Sequence, residues 1–160
     1  MDPVNLDDFQ TIAKEKLSKQ NYEYYEGAAD DEFTHLETRQ AFSSIKLKAK
    51  ALANADAFEG LGTSFLGHKV SSPIGIAPTA FHRLAHDEGE CATAKAAEAA
   101  GVVICTSSVA NYSVEEIAEA APNALKIFQI YMTRMAEFNQ DIFDRVKACG
   151  YKAIVLTADT

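Results

Sequence analysis

Nowhere in its 160 residues does this sequence carry an apolar run long enough to cross a bilayer. Basic residues are in deficit: 15 Lys and Arg stand against 23 Asp and Glu, a formal net charge of −8. The positive charges are scattered, and without a basic stripe to follow a phosphate backbone the composition argues against a nucleic-acid role. Cysteines are few and odd in number. Cys91, Cys105 and Cys149 are too widely spaced for a zinc or redox motif and read as buried or half-buried thiols in a reducing compartment. The opening residues M-D-P-V-N-L-D-D-F are acidic and lack the apolar core of a signal peptide. What is present, 48% hydrophobic and 24% charged residues, is the composition of a soluble globular domain with a core of its own.

The organising stretch is S-S-P-I-G-I-A-P-T-A, Ser71 to Ala80. Ile74, Ile76 and Ala77 form an apolar run flanked by Pro73 and Pro78, and no polar side chain precedes Thr79. This pattern predicts a strand buried on both faces, as in a parallel sheet covered by helices. In such folds ligands bind at the carboxyl ends of strands, where Ala77, Pro78, Thr79 and Ala80 would stand. Small residues there let a flat ligand lie against the backbone; a core strand followed by an ordinary turn is the plainer reading.

Helical spacing runs from Leu6 to Lys19, with acids early and lysines late to match the helix dipole. Y-E-Y-Y-E-G-A-A-D-D-E, Tyr22 to Glu32, crowds three tyrosines into four positions. They suit either a pocket wall that makes one hydrogen bond or a helix packing through its aromatic faces. A helix over 34–42, a connector over 45–56 and a hairpin over 63–70, turning at Gly67 and His68, follow. His82 and His86 are four residues apart but have no evident third metal ligand. An alanine-rich helix over 87–100 should end at Gly101. Then come strands over 102–107, 124–131 and 153–159. Between them lie a helix opened by the capping box S-V-E-E at Ser113 and an amphipathic helix over 136–148.

Alternation of strand and helix predicts a parallel sheet. The strand-end positions Ala77, Ser107, Gln129 and Thr157 are 30, 22 and 28 residues apart. A (β/α)₈ barrel spends about 31 residues per unit. A doubly wound sheet gives similar spacing but usually carries a glycine-rich loop after its first strand. A-P-T-A-F-H-R has no glycine, so a barrel is preferred, represented by four strands.

Taken together, these motifs resemble the FMN-dependent 2-hydroxy acid oxidases and dehydrogenases. The matching stretches are the Tyr22–Glu32 segment, A-F-S at Ala41, S-P-I-G-I-A-P-T-A, H-D-E-G-E at His86, T-S-S-V-A at Thr106, F-Q-I-Y at Phe128 and L-T-A-D-T at Leu156, in family order. The resemblance implies an N-terminal half of a TIM (β/α)₈ barrel with FMN as cofactor. It implies that Ala77, Pro78 and Thr79 form a backbone shelf beside the flavin ring. Ser107 and Gln129 would hydrogen-bond the pyrimidine side, with Thr157 a further contact. Tyr24 would bind the substrate carboxylate, Tyr131 would hydrogen-bond near the reacting carbon, and Asp159 would orient the family's catalytic histidine and stabilise its protonated form. Where glycolate oxidases have tryptophan after the paired serines, this chain has Val109, which enlarges the substrate end toward longer acids.

A departure of another kind is length. The expected organisation is one partial domain over 1–160: helices and hairpin over 1–70, then the first four barrel strands over 71–160. The catalytic histidine, the substrate-binding arginines, the lysine near flavin N1 and the phosphate site belong to the other half, and His82 and His86 do not replace that histidine. The expected activity of the complete protein is oxidation of an (S)-2-hydroxy acid to a 2-oxo acid, with O₂ yielding hydrogen peroxide. The 160 residues alone are expected to be inactive. Two alternatives stand beside this: a non-catalytic truncated interaction protein, and a flavin-dependent isomerase, against which the Tyr24 segment argues. The expected partners are a small 2-hydroxy acid and further copies of the complete protein, with no nucleic acid and no membrane. The expected location is intracellular, peroxisomal in a eukaryote and otherwise cytoplasmic.

Overall fold

The computed structural model describes residues 2–51 and 58–159. The chain divides into two compact units, Met1–Phe58 and Glu59–Thr160.

The first unit holds three helices. The helix expected over 6–19 is two: α1 (Leu6–Lys16) ends at Leu17, and Ser18 opens α2 (Lys19–Glu26) by accepting from the Asn21 N–H. Serine at that position satisfies a donor that no intrahelical carbonyl can reach, so it favours a new start over continuation. The third helix, α3, runs Phe33–Ser44. Polar ties hold the three together: Gln10 donates to Glu26 at 2.7 Å, and Arg39 pairs with Asp7 at 2.6 Å. No described residue of these helices is buried. The connector expected over 45–56 falls partly outside the described residues.

The second unit opens with an antiparallel hairpin, β1 (Thr63–Phe65) and β2 (His68–Val70), in which His68 begins β2 and the turn is Leu66–Gly67. A parallel sheet follows in the order β3 (Val103–Thr106), β4 (Leu125–Ile130), β5 (Ile154–Leu156). Between the strands run α4 (Gly89–Ala100), α5 (Val114–Ala120) and α6 (Ala136–Ala148). Neighbours in sequence are neighbours in the sheet, the topology of a (β/α)₈ barrel in which each crossover helix returns the chain to the next strand. The described strands form an open part of such a barrel.

Ser71–Ala80 departs from expectation. It joins the sheet through one parallel bridge, Ile76 to Ile104: the Ile76 N–H donates to the Val103 carbonyl and the Ile76 carbonyl accepts from the Cys105 N–H, both at 2.9 Å. The next rung would need an N–H from residue 78, and Pro78 has none. Ile74 is 73% exposed, so the stretch is not buried on both faces. It does lie against β3: a Cβ on Gly75 would collide with the Val103 side chain, and only glycine permits that approach.

Sequence parity sorts the two faces of the sheet. Ile104 packs with Ala94, Ala97, Ile117 and Ala121 under α4 and α5. Phe128 and Ile130 pack with Val146 and Tyr151 under α6. Burying each large aliphatic side chain contributes about 1.5–3 kcal/mol. Gly101 closes α4 with φ 67°, accepting the Ser71 N–H at 2.9 Å. Lys126, 2% exposed, donates to the carbonyls of Ala121, Pro122 and Ala124 below α5, and burial lowers its pKa.

Candidate functional site

Because Ile104 and Phe128 face the helices, their sequence neighbours Cys105 and Ile127 face the opposite side, and so do Ser107 and Gln129. The register of β3 with β4 pairs Val103 with Leu125 and Thr106 with Phe128. One residue further, it sets Ser107 opposite Gln129. On the other side Gln129 pairs with Val155, and Thr157 follows two residues later on the same face. The β-ladder therefore lines up three polar residues at the carboxyl ends of three adjacent strands.

Their side chains are joined. Gln129 is 2% exposed, and its Nε2 donates to Thr157 Oγ1 at 2.8 Å. Its Oε1 accepts from Ser108 N–H at 3.1 Å and lies 3.3 Å from Ser108 Oγ and 3.4 Å from Ser107 Oγ. An amide oxygen has two lone pairs and an amide nitrogen two hydrogens. Three donors compete for Oε1, so at least one serine hydroxyl must find another acceptor, and among the described residues Gln129 Nε2 donates to Thr157 alone. The row thus gathers both donors and acceptors at the strand ends. Ser107 and Ser108 also border a cavity of about 280 Å³ whose far wall includes Tyr112, Phe138 and Arg145. Below the row, desolvation pushes the Cys105 thiol up to about 11, which keeps it protonated and unreactive.

Ala77, Pro78 and Thr79 follow the Ile76 bridge and are exposed, with Thr79 Oγ1 3.4 Å from the Ala77 carbonyl. Val109, 40% exposed, donates its N–H to Ser107 Oγ at 3.2 Å. Tyr131, 40% exposed, comes two residues after Gln129, and Asp159 is exposed two residues after Thr157. Tyr24 belongs to the first unit, where it stands on α2 edge-on to Tyr25 at 5.2 Å between ring centroids. Of the residues singled out from sequence, Gln129 bonds both Ser107 and Thr157, and the Val109 N–H bonds Ser107 Oγ.

A family model described as FMN-dependent dehydrogenase matches residues 13–160. The chain belongs to the FMN-dependent dehydrogenase family. It is 42% identical over 156 residues to a peroxisomal (S)-2-hydroxyacid oxidase of Arabidopsis thaliana, covering 98% of this chain and 42% of that protein. To the glycolate oxidase of Spinacia oleracea it is 42% identical over 160 residues, covering 100% of this chain and 43% of the relative. A crystal structure of a putative lactate oxidase from Pediococcus acidilactici superposes with a TM-score of 0.93 at 33% identity, over 100% of this chain and 44% of the other. The chain thus spans less than half the length of the relatives it matches. FMN is the cofactor of this family, and the donor set fits it: the edge of a flavin pyrimidine alternates acceptors with an N–H, and Ser107, Gln129 and Thr157 can meet both.

Sequence patterns did not single out Ser108 as a ligand of Gln129, nor Asn139. Asn139 is 5% exposed on α6; its Oδ1 accepts from the Thr133 N–H and hydroxyl, and its Nδ2 donates to the Thr133 carbonyl at 2.8 Å. It thereby anchors the turn that follows Tyr131. The available signal was an amide on the apolar stripe of α6, between Phe138 and Ile142.

Proposed function

We propose that this chain supplies one wall of an FMN site in a protein that oxidises an (S)-2-hydroxy acid to the 2-oxo acid, with O₂ as the electron acceptor and hydrogen peroxide as the product. The observation that carries the reading is the bonded row Ser107–Gln129–Thr157 at the strand ends of a family member. In this reading Ser107, Gln129 and Thr157 hold the pyrimidine side of the cofactor, and Ala77, Pro78 and Thr79 form the backbone shelf. Bound FMN supplies the two-electron acceptor. The protein's own part is orientation: Tyr24 binds the carboxylate, Tyr131 donates toward the substrate near its reacting carbon, and Asp159 orients a histidine supplied from outside these residues. Val109 borders the substrate end and favours acids longer than glycolate. The complete protein would be a homo-oligomer, and the peroxisomal Arabidopsis relative supports a peroxisomal setting in a eukaryote.

The 160 residues alone are inactive in this reading. The assay is peroxide release from glycolate, lactate and 2-hydroxyoctanoate, with FMN added. No turnover is expected from the 160-residue chain, and turnover would overturn that part of the proposal. In a longer chain carrying the remaining strands, 2-hydroxyoctanoate should be oxidised in preference to glycolate.

One observation favours a second reading, a non-catalytic binding protein. β5 pairs with β4 alone among the described strands and exposes Ile154 and Leu156 at 44% and 57%. An apolar edge of this kind can add a strand from another chain. Co-elution with a full-length relative in size-exclusion chromatography would favour it; separate elution would remove it.

A further inference from the structure

We infer that Glu90 is a positioning residue that sets the separation between two walls of the proposed flavin site; the inference rests on the FMN reading above. Glu90 lies in the first turn of α4, 2% exposed. Its Oε1 accepts two backbone N–H groups at once, from His82 at 3.0 Å and Asn111 at 3.1 Å. His82 starts the 3₁₀ turn His82–Leu84, directly after the Ala77–Thr79 shelf and Phe81. Asn111 lies in the loop that leaves β3 through Ser107, Ser108 and Val109. One carboxylate oxygen therefore ties the loop after Ile76 to the loop after β3.

Four further observations bear on how the tie is built in. Arg83 N–H donates to Asn111 Oδ1 at 3.0 Å, a second link between the same two loops. Phe81 holds φ at 55°, a left-handed conformation that a bulky residue keeps only where its surroundings enforce it. Gly89 allows Arg83 and Tyr112 to close over the start of α4, since a Cβ there would meet Arg83 Cγ at 2.8 Å and Tyr112 Cε2 at 3.1 Å. Oε2 of Glu90 is buried with no hydrogen-bond partner among the described residues. Burying a carboxyl costs free energy that packing alone does not return, and the Oε1 bonds to two amides from different loops offset it.

The test uses the 160-residue chain and residue-resolved amide hydrogen exchange in wild type, Glu90→Ala, Glu90→Asp and Glu90→Gln, with FMN titrated by flavin fluorescence. Aspartate is too short to reach both amides, while glutamine keeps the accepting oxygen. Exchange at His82 and Asn111 should speed up about tenfold or more in Glu90→Ala, and at one of the two in Glu90→Asp, with β4 and α6 unchanged. Glu90→Gln should restore protection to within about threefold of wild type. FMN affinity should fall in the alanine variant and recover in the glutamine variant. Unchanged exchange at both amides, or faster exchange spread evenly over β3, β4 and α4, would overturn the inference; so would a local loss that leaves FMN affinity as in wild type. If Glu90→Ala does not fold, Glu90→Asp decides. A wild-type chain that leaves FMN fluorescence unchanged would contradict the flavin reading, while the exchange pattern would still decide whether Glu90 ties the loops.

Discussion

Gln129 is the residue on which most depends. It is buried, it bonds across two strand boundaries, and its loss would leave Ser108 N–H and Thr157 Oγ1 without their partner. The change Gln129→Ala should therefore cost about 1–3 kcal/mol in urea unfolding, and should weaken FMN binding more than a surface change of equal stability cost. Glu115 makes a different kind of contribution. Its hydrogen bonds to the Arg145 guanidinium, at 2.7 and 2.9 Å, hold its carboxyl down at about 2, against 4.5 for the free group. A carboxyl whose folded pKa is depressed stabilises the fold above its unfolded pKa and loses that contribution as pH falls through the folded value. The stability difference between wild type and Glu115→Gln should be full at pH 6 and should vanish between pH 4.5 and 2. Both side chains are nearly half exposed, so the difference should stay below about 1 kcal/mol and shrink in salt. Urea unfolding at several pH values measures it. Residues at strand ends were legible from sequence because strand parity and the spacing of polar positions survive without contacts. Glu90 was not, because nothing local distinguishes a buried carboxylate on a helix from a solvated one; Asn139 carried a signal, an amide on the apolar stripe of α6, but its bonds to Thr133 depend on how the preceding turn folds back.

At the scale of elements, α5 shows how local chemistry sets a boundary. The Ser113 side chain accepts from Glu116 N–H at 3.2 Å, and Glu116 returns to Ser113 N–H at 2.8 Å, a reciprocal cap. Serine 113 to alanine should destabilise the second unit by about 1 kcal/mol, read as a lower urea midpoint at unchanged slope. This cap, α6 at Ala136–Ala148 and the end of α4 at Gly101 were all visible in the pattern of residues. The stretch Ser71–Ala80 was not: its apolar content matched a strand buried on both faces, whereas pairing is decided by which N–H groups exist, and Pro78 lacks one. The split between α1 and α2 was missed because the apolar spacing runs up to Leu17 and nothing in it marks Ser18 as a cap.

For the whole molecule, the sheet is a sequential parallel array with helices on one face and a row of polar strand ends on the other. The proposed function rests on that second face in a member of the FMN-dependent dehydrogenase family. Its central claim is that Ser107, Gln129 and Thr157 form a flavin-binding wall. The direct measurement is an amide and side-chain NMR titration of the 160-residue chain with FMN. The account predicts the largest shifts at the Ser107 and Ser108 amides, the Gln129 side-chain NH₂ and the Thr157 amide, with smaller ones at Ala77 and Thr79. Shifts confined to other residues, or none at FMN concentrations that saturate a full-length relative, would contradict it.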